Sequence, residues 1–291
     1  MIAGRTPNYT VLAALAVVAT QFSNSLGAAW SKTLFSAIGP EGIVALRLGI
    51  SAILLGLLTR VWRLRVERSQ LTDILAYGIA MGVMNNVAYQ AYARIPVGIG
   101  MAIEVTGPLA LVLFHSRRGS DFVWLALNLA GLALLLFRPT GLPSVDPAGI
   151  AFAFCSAGCW AAYIVFGRRV ALVGGGGRVV ALGATVGACL AVPFGVSVAG
   201  AKLLEPHWLM LGFGIAVLSS AVPFFLQMMA MRRLPARVYG LLASAIPAVG
   251  ALMGFAVLGE TLEPRQWLGI VLVIFASAGA TLGLSRSAAK G

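Results

Sequence analysis

Two segments of this chain, 139 residues apart, carry the same spaced arginine and prolines. One reads Arg94-Ile95-Pro96, with Pro108 twelve residues further on, inside RIPVGIGMAIEVTGP. The other reads Arg233-Leu234-Pro235, with Pro247 twelve residues on, inside RLPARVYGLLASAIP. Proline fixes φ and withholds a backbone donor, so prolines at matching places in two apolar runs mark the same bend twice. A unit that recurs this way implies two homologous halves.

The repeat lies in a chain with ten apolar stretches, at roughly 10–33, 42–59, 74–93, 97–114, 122–137, 148–167, 179–199, 208–230, 237–258 and 266–284. Each is near the ~20 residues a helix needs to cross hydrocarbon. Ten spans divide into two fives. Five is odd, so the second half must enter the membrane upside down. The expected fold class is an all-α integral membrane protein of ten transmembrane helices in two inverted five-helix repeats. The first repeat covers residues 1–141 and the second 142–291, joined at GLPSVDP. Inverted repeats with a site between them are the architecture of secondary transporters.

Composition excludes a soluble domain: 59% of residues are hydrophobic and 10% charged, against roughly 25% charged in soluble proteins. The net charge of +12 does not point to nucleic acid, because the arginines sit in short loops between apolar runs. With the N-terminus inside, fifteen Lys and Arg fall on inside segments, and four (Arg94, Arg138, Lys202, Arg265) fall outside. Both termini are therefore expected on the cytoplasmic side. Residues 5–20 resemble a signal peptide locally, but their removal would leave nine spans and break the repeat.

Glycine is abundant, at 35 residues, and forms four GxxxG pairs: Gly78/Gly82, Gly183/Gly187, Gly250/Gly254 and Gly279/Gly283. Small residues let membrane helices approach closely. Packing within the chain is the preferred reading; a homodimer is allowed but a monomer suffices. Cys155, Cys159 and Cys189 lie in apolar runs and read as small hydrophobes, with no metal site and no cofactor expected. The run Gly174–Gly177 reads as a flexible loop, and it lacks the Lys-Ser/Thr of a phosphate-binding loop.

Three charges remain inside the spans: Lys32, Arg47 and Glu104. A central charge costs about 2.5–3.5 kcal/mol even on insertion scales, so each needs a partner, a wet cavity or an escape. Lys32, near the outer end of the first span, is expected to snorkel. Arg47 and Glu104 are deeper. Glu104 lies one turn before Pro108, which takes a backbone bond from that turn. For both, a structural role and a functional one stand level.

Uncharged polar residues form stripes at helical spacing. The first span has Gln21, Ser25, Ala28 and Lys32, with Asn24 beside them. The third has Met81, Asn85, Tyr89 and Tyr92, with Asn86 adjacent. The sixth has Ser156, Trp160, Tyr163 and Gly167, and the eighth Ser220, Phe224, Gln227 and Met231. Such faces belong against a cavity or another helix. The fifth span offers only Asn128 and the tenth only Ser277 and Thr281, which places both at the periphery. Trp62, Trp124, Trp208 and Trp267 fall at span ends and read as interfacial anchors. The histidines, His115 and His207, fall in loops, and no intramembrane carboxylate pair exists, so enzyme chemistry is not expected.

The chain resembles the EamA-type branch of the drug/metabolite transporter superfamily. The resemblance rests on ALRL (45–48), WRLR (62–65), the MN pair with Tyr89, IPVGIGMAIEVTGPLA (95–110), SRR with DFVW (116–124), CWAAYI (159–164), RLPAR (233–237) and LGETL (258–262). It covers nearly the whole chain, and within the family it is most similar to bacterial threonine/homoserine exporters, which are related to aromatic-amino-acid exporters. Where such exporters often carry an acidic residue before the ninth-span proline, this chain has Ile246. The resemblance implies export of small amino acids, threonine- or homoserine-like with a broader range including methionine or aromatic amino acids left open, across a bacterial inner (plasma) membrane by alternating access. A zwitterion needs one group for its carboxylate and one for its ammonium. The residues expected to bind it are Gln21, Asn24, Arg47, Asn85, Tyr89, Glu104, Trp160, Tyr163 and Phe224, with Glu104 coupling transport to protons. Pro96, Pro108, Pro235 and Pro247 are expected to act as hinges. The alternatives are a multidrug or organic-cation exporter of the same superfamily, and a membrane scaffold or receptor without transport.

Overall fold

The computed structural model describes residues 7–64, 66–115, 119–136, 146–171, 176–223, 226, 234 and 242–288. Among these residues the regular elements are all helical. In chain order they are α1 (Pro7–Thr33), α2 (Phe35–Thr59), α3 (Arg68–Arg94), α4 (Val97–Glu104), α5 (Thr106–His115), α6 (Gly119–Leu136), α7 (Pro147–Ala171), α8 (Gly176–Ala199), α9 (Pro206–Ala216), α10 (Ile246–Leu258) and α11 (Pro264–Ala288). A π-helical turn, Val217–Ala221, extends α9. Among the described residues, four segments are long and apolar enough to cross a membrane: Val11–Thr33, Phe35–Thr59, Pro147–Val170 and Gly177–Leu204. Shorter apolar helices run over Val97–Leu111, Phe122–Leu136, Pro206–Ala221, Ile246–Leu258 and Pro264–Gly279.

Several spans differ from their expected form for local reasons. The second begins at Phe35, because a helical turn precedes a kink at Gly39 (φ 71°) ahead of Pro40. That left-handed φ suits glycine, and the proline then restarts the helix. The fourth span is two helices, interrupted at Val105. Pro108 has no N–H to give the Glu104 carbonyl, so the turn at Glu104 loses its closing bond. Gly176 and Gly177 are the first residues of α8 rather than loop; residues 174 and 175 lie outside the described residues. So do Phe224, Gln227, Met231, Pro235 and most of the 141–147 linker.

The helices are sorted by face. On α1 the residues Val11, Leu15, Phe22 and Leu26 are exposed, while Ala13, Val17, Gln21, Ser25 and Ala28 are buried. On α3 Leu71, Leu75, Ile79 and Val83 are exposed, while Asn85, Tyr89 and Tyr92 are buried. Apolar outside and polar inside reverses the order of a soluble bundle and matches a lipid surround. Buried hydroxyls close on their own helices: Thr20 donates to Ala16 O at 2.8 Å and Ser31 to Gly27 O at 2.6 Å. Such bonds satisfy a polar group without water.

The main packing joins α2 to α8, α3 to both α7 and α8, α1 to α10, and α10 to α4. Glycines set the closest approach. A Cβ on Gly82 would stand 2.9 Å from the Gly187 Cα, so α3 and α8 meet backbone to backbone. Gly78 faces Val186, and Gly183 faces the Tyr77 ring. Two of the four GxxxG pairs thus face each other within the chain. The helices α6 and α11 pack chiefly on each other, with Gly131 against Gly269 and Trp124 against Gly279.

Candidate functional site

Arg47 stands halfway along α2 and reaches three residues on two other elements. Its Nη1 donates to Asn85 Oδ1 at 2.9 Å and to the Tyr89 hydroxyl at 3.0 Å, both on α3. Its Nη2 donates to the Ser219 carbonyl at 3.3 Å, in the π-helical turn. A π turn leaves carbonyls off the regular ladder, and such turns gather at functional sites. Here Leu218 O accepts from Ser23 and Ser219 O accepts from Arg47. The Tyr89 hydroxyl also lies 3.3 Å from Ser31 Oγ on α1. Two residues of the α3 stripe, Asn85 and Tyr89, thus meet Arg47.

The Arg47 guanidinium has no carboxylate within ion-pair distance among the described residues. Its Nε and the Ser219 hydroxyl are both buried without a hydrogen-bond partner among those residues. A half-buried cation held only by neutral groups is receptive to an anion, because guanidinium presents a planar fork that matches a carboxylate.

Glu104 forms a second cluster. It ends α4 and is buried. The Tyr92 hydroxyl donates to its Oε2 at 2.6 Å, and the Ser156 hydroxyl donates to its Oε1 at 2.7 Å. Both donors belong to the polar stripes but not to the expected binding residues. The two clusters adjoin through aromatic rings, Tyr89 and Tyr92 having centroids 5.8 Å apart. An arginine and a carboxylate thus occupy one bundle interior, each hydrogen-bonded by neutral groups and not by the other.

The remaining expected residues scatter. Trp160 lies one turn beyond Ser156 on α7 and packs on the apolar cluster of Ile95, Ile99 and Ile103. Tyr163 stacks on Tyr77 with centroids 4.7 Å apart and accepts its hydroxyl hydrogen bond at 2.9 Å. That pair belongs to a separate cluster with Ile74 and Val179, so Tyr163 joins neither site cluster. Gln21 is buried and Asn24 half-buried on α1, and neither bonds to Arg47 or Glu104. Of the expected hinges, Pro96 precedes α4, Pro108 sits in the first turn of α5, and Pro247 in the first turn of α10.

Lys32 does not snorkel. Its Nζ pairs with Glu260 Oε1 at 2.7 Å and donates to Ile95 O at 3.0 Å. A lysine that meets a carboxylate and a carbonyl at its own depth has no need to extend toward water. Glu260 belongs to LGETL, a motif visible in the sequence but without a partner there.

Among the described residues the regular elements are helices with lipid-type outer faces and an inward polar core, the build of a membrane transporter. The sequence profile of the EamA-like transporter family matches residues 147–282. The chain is 41% identical over 262 residues to the threonine/homoserine exporter RhtA of Escherichia coli K12, spanning 89% of this chain and 88% of that protein. It is 24% identical over 259 residues to the transporter YwfM of Bacillus subtilis, spanning 84% and 87%. It is 27% identical over 224 residues to the inner membrane transporter YedA of Escherichia coli K12, spanning 73% and 70%. A crystal structure only 20% identical superposes with a TM-score of 0.62 over 97% of this chain and 99% of that one, which shows the shared fold. The chain belongs to the EamA family of membrane transporters.

Proposed function

We propose that this chain exports small amino acids of the threonine and homoserine type across the bacterial inner membrane by alternating access. Ten spans in two inverted repeats, residues 1–141 and 142–291, would then enclose the pathway, with both termini cytoplasmic. The identity to a threonine/homoserine exporter supports the substrate class. The observation that carries the reading is the separation of Arg47 from Glu104. A zwitterion can bridge such a pair, its carboxylate toward Arg47 and its ammonium toward Glu104 and the tyrosine faces. Glu104 would also carry the coupling proton: if proton and ammonium compete for one carboxylate, their fluxes are linked.

Counterflow in proteoliposomes tests this. Labelled threonine or homoserine should exchange against unlabelled amino acid, and a lipophilic cation should not compete. Exchange of the cation, with none of either amino acid, would replace this reading with that of an organic-cation exporter.

A further inference from the structure

Glu260 is held where it is by the way α10 ends. Gly259 takes the left-handed conformation (φ 66°), and its N–H returns to Phe255 O at 3.0 Å. The Glu260 N–H closes on Gly254 O at 3.2 Å. This is a glycine-terminated helix end, which reverses the chain and aims the next residue back along the helix. Gly254 makes room for what comes back: a Cβ there would stand 2.4 Å from Glu260 Oε2. The Leu-Gly-Glu of LGETL thus has a physical reading, in which the glycine stops the helix and the carboxylate folds over its last turn.

The returned carboxylate ties together the ends of three helices, α1, α4 and α10, the last of which packs on both others. One oxygen takes Lys32, at the end of α1, and the other accepts the Val97 N–H at 2.9 Å, at the start of α4. Lys32 meanwhile holds Ile95 O in the junction between α3 and α4. Lys32, Ile95 and Val97 belong to the first half of the sequence and Glu260 to the second. Below this tie the inward face of α1 continues through Ala28 and Ser25 toward the site.

We infer that the Lys32–Glu260 pair is a gate of the transport cycle, shut in this structure and parted when the pathway opens at this end. This rests on the transporter reading but not on the substrate assigned to it. The pair's setting suits a gate. Its side chains are 21% and 14% exposed, so parting delivers both charges to water and leaves neither stranded. A fully dry pair would resist opening, and a fully exposed one would hold nothing shut.

The test uses the full-length protein with Cys155, Cys159 and Cys189 replaced by serine and Ala28→Cys as reporter, one turn below Lys32. The purified protein is labelled with a polar maleimide. Glu260→Gln keeps an acceptor for Val97 but removes the charge, and should raise the labelling rate about tenfold, as expected when a minor open state becomes common. Lys32→Met removes the other charge while leaving Glu260 to accept from Val97, and should raise the rate by a similar factor. An unchanged rate in either variant overturns the gate. Should Glu260→Gln not fold, Lys32→Met reads the same quantity. Labelling needs no substrate, so amino-acid counterflow run in parallel separates the two readings: absent counterflow in the parent with intact gate behaviour would sink only the substrate class.

Discussion

Tyr92 donates its hydroxyl to Glu104 at 2.6 Å across the junction between α3 and α4, while Ser156 occupies the other carboxylate oxygen from α7. Both oxygens are engaged by donors, so the carboxylate is oriented before any substrate arrives. A change of protonation at Glu104 would break or reverse at least one of these bonds, one of which leads to α7.

Glu104→Gln keeps the shape and most of the hydrogen bonding but cannot titrate. It is expected to abolish uphill flux driven by a pH difference while leaving some downhill counterflow. Both are read in the same proteoliposomes with and without an imposed gradient. Continued accumulation by the Gln variant under the gradient would remove Glu104 as the coupling group.

Arg47→Lys tests the anion-binding role. The guanidinium spans Asn85, Tyr89 and the Ser219 carbonyl at once. Lysine keeps the charge but not the planar fork. Losing charge-assisted hydrogen bonds of about 1.5–3 kcal/mol should raise KM roughly tenfold to a hundredfold. The maximal rate should change less, since binding rather than the transport step is affected. Initial-rate counterflow over a substrate range gives both values. An unaltered KM would make Arg47 a structural arginine only.

Much of this was legible in the sequence because it depends on spacing. The stripes of α1 and α3 follow from helical periodicity, and their buried sides agree with it. The glycine pairs follow from the need for close packing. What spacing cannot supply is the partner. Lys32 and Glu260 are 228 residues apart, so the lysine alone suggests only an extended side chain. A regular 3.6-residue pattern puts Ser220 on the stripe of the eighth span, but Ser219 is the buried one, because a π turn changes which residue faces inward. Tyr163 sits on the expected face of α7, but one face of a long helix crosses several environments, and Tyr77 claims it first.

Gly107 offers a packing test next to Glu104. A Cβ there would lie 1.9 Å from the Ala157 carbonyl oxygen, a backbone atom with little freedom to yield. Gly107→Ala must therefore push α5 off α7 beside Ser156. Overpacking of this kind costs about 1–3 kcal/mol. The expected result is a lower thermal midpoint by size-exclusion after heating, with slower counterflow. A midpoint equal to the parent's would mean that the two helices can separate freely there.

The last prediction concerns the periphery. The helices α6 and α11 pack chiefly on each other, and Leu129 on α6 is 57% exposed, on a face that a bilayer would cover. Asn85, by contrast, is buried beside Arg47. If the pathway runs through the bundle interior, water reaches Asn85 during the cycle and never reaches Leu129. In a cysteine-free background in membranes, Asn85→Cys should react with a polar maleimide and be protected by substrate. Leu129→Cys should stay unreactive, because thiolates form poorly in hydrocarbon and the reagent does not partition there. Labelling of Leu129→Cys from water at a rate matching Asn85→Cys would put water on the wrong side of α6 and displace the pathway from the centre of the bundle.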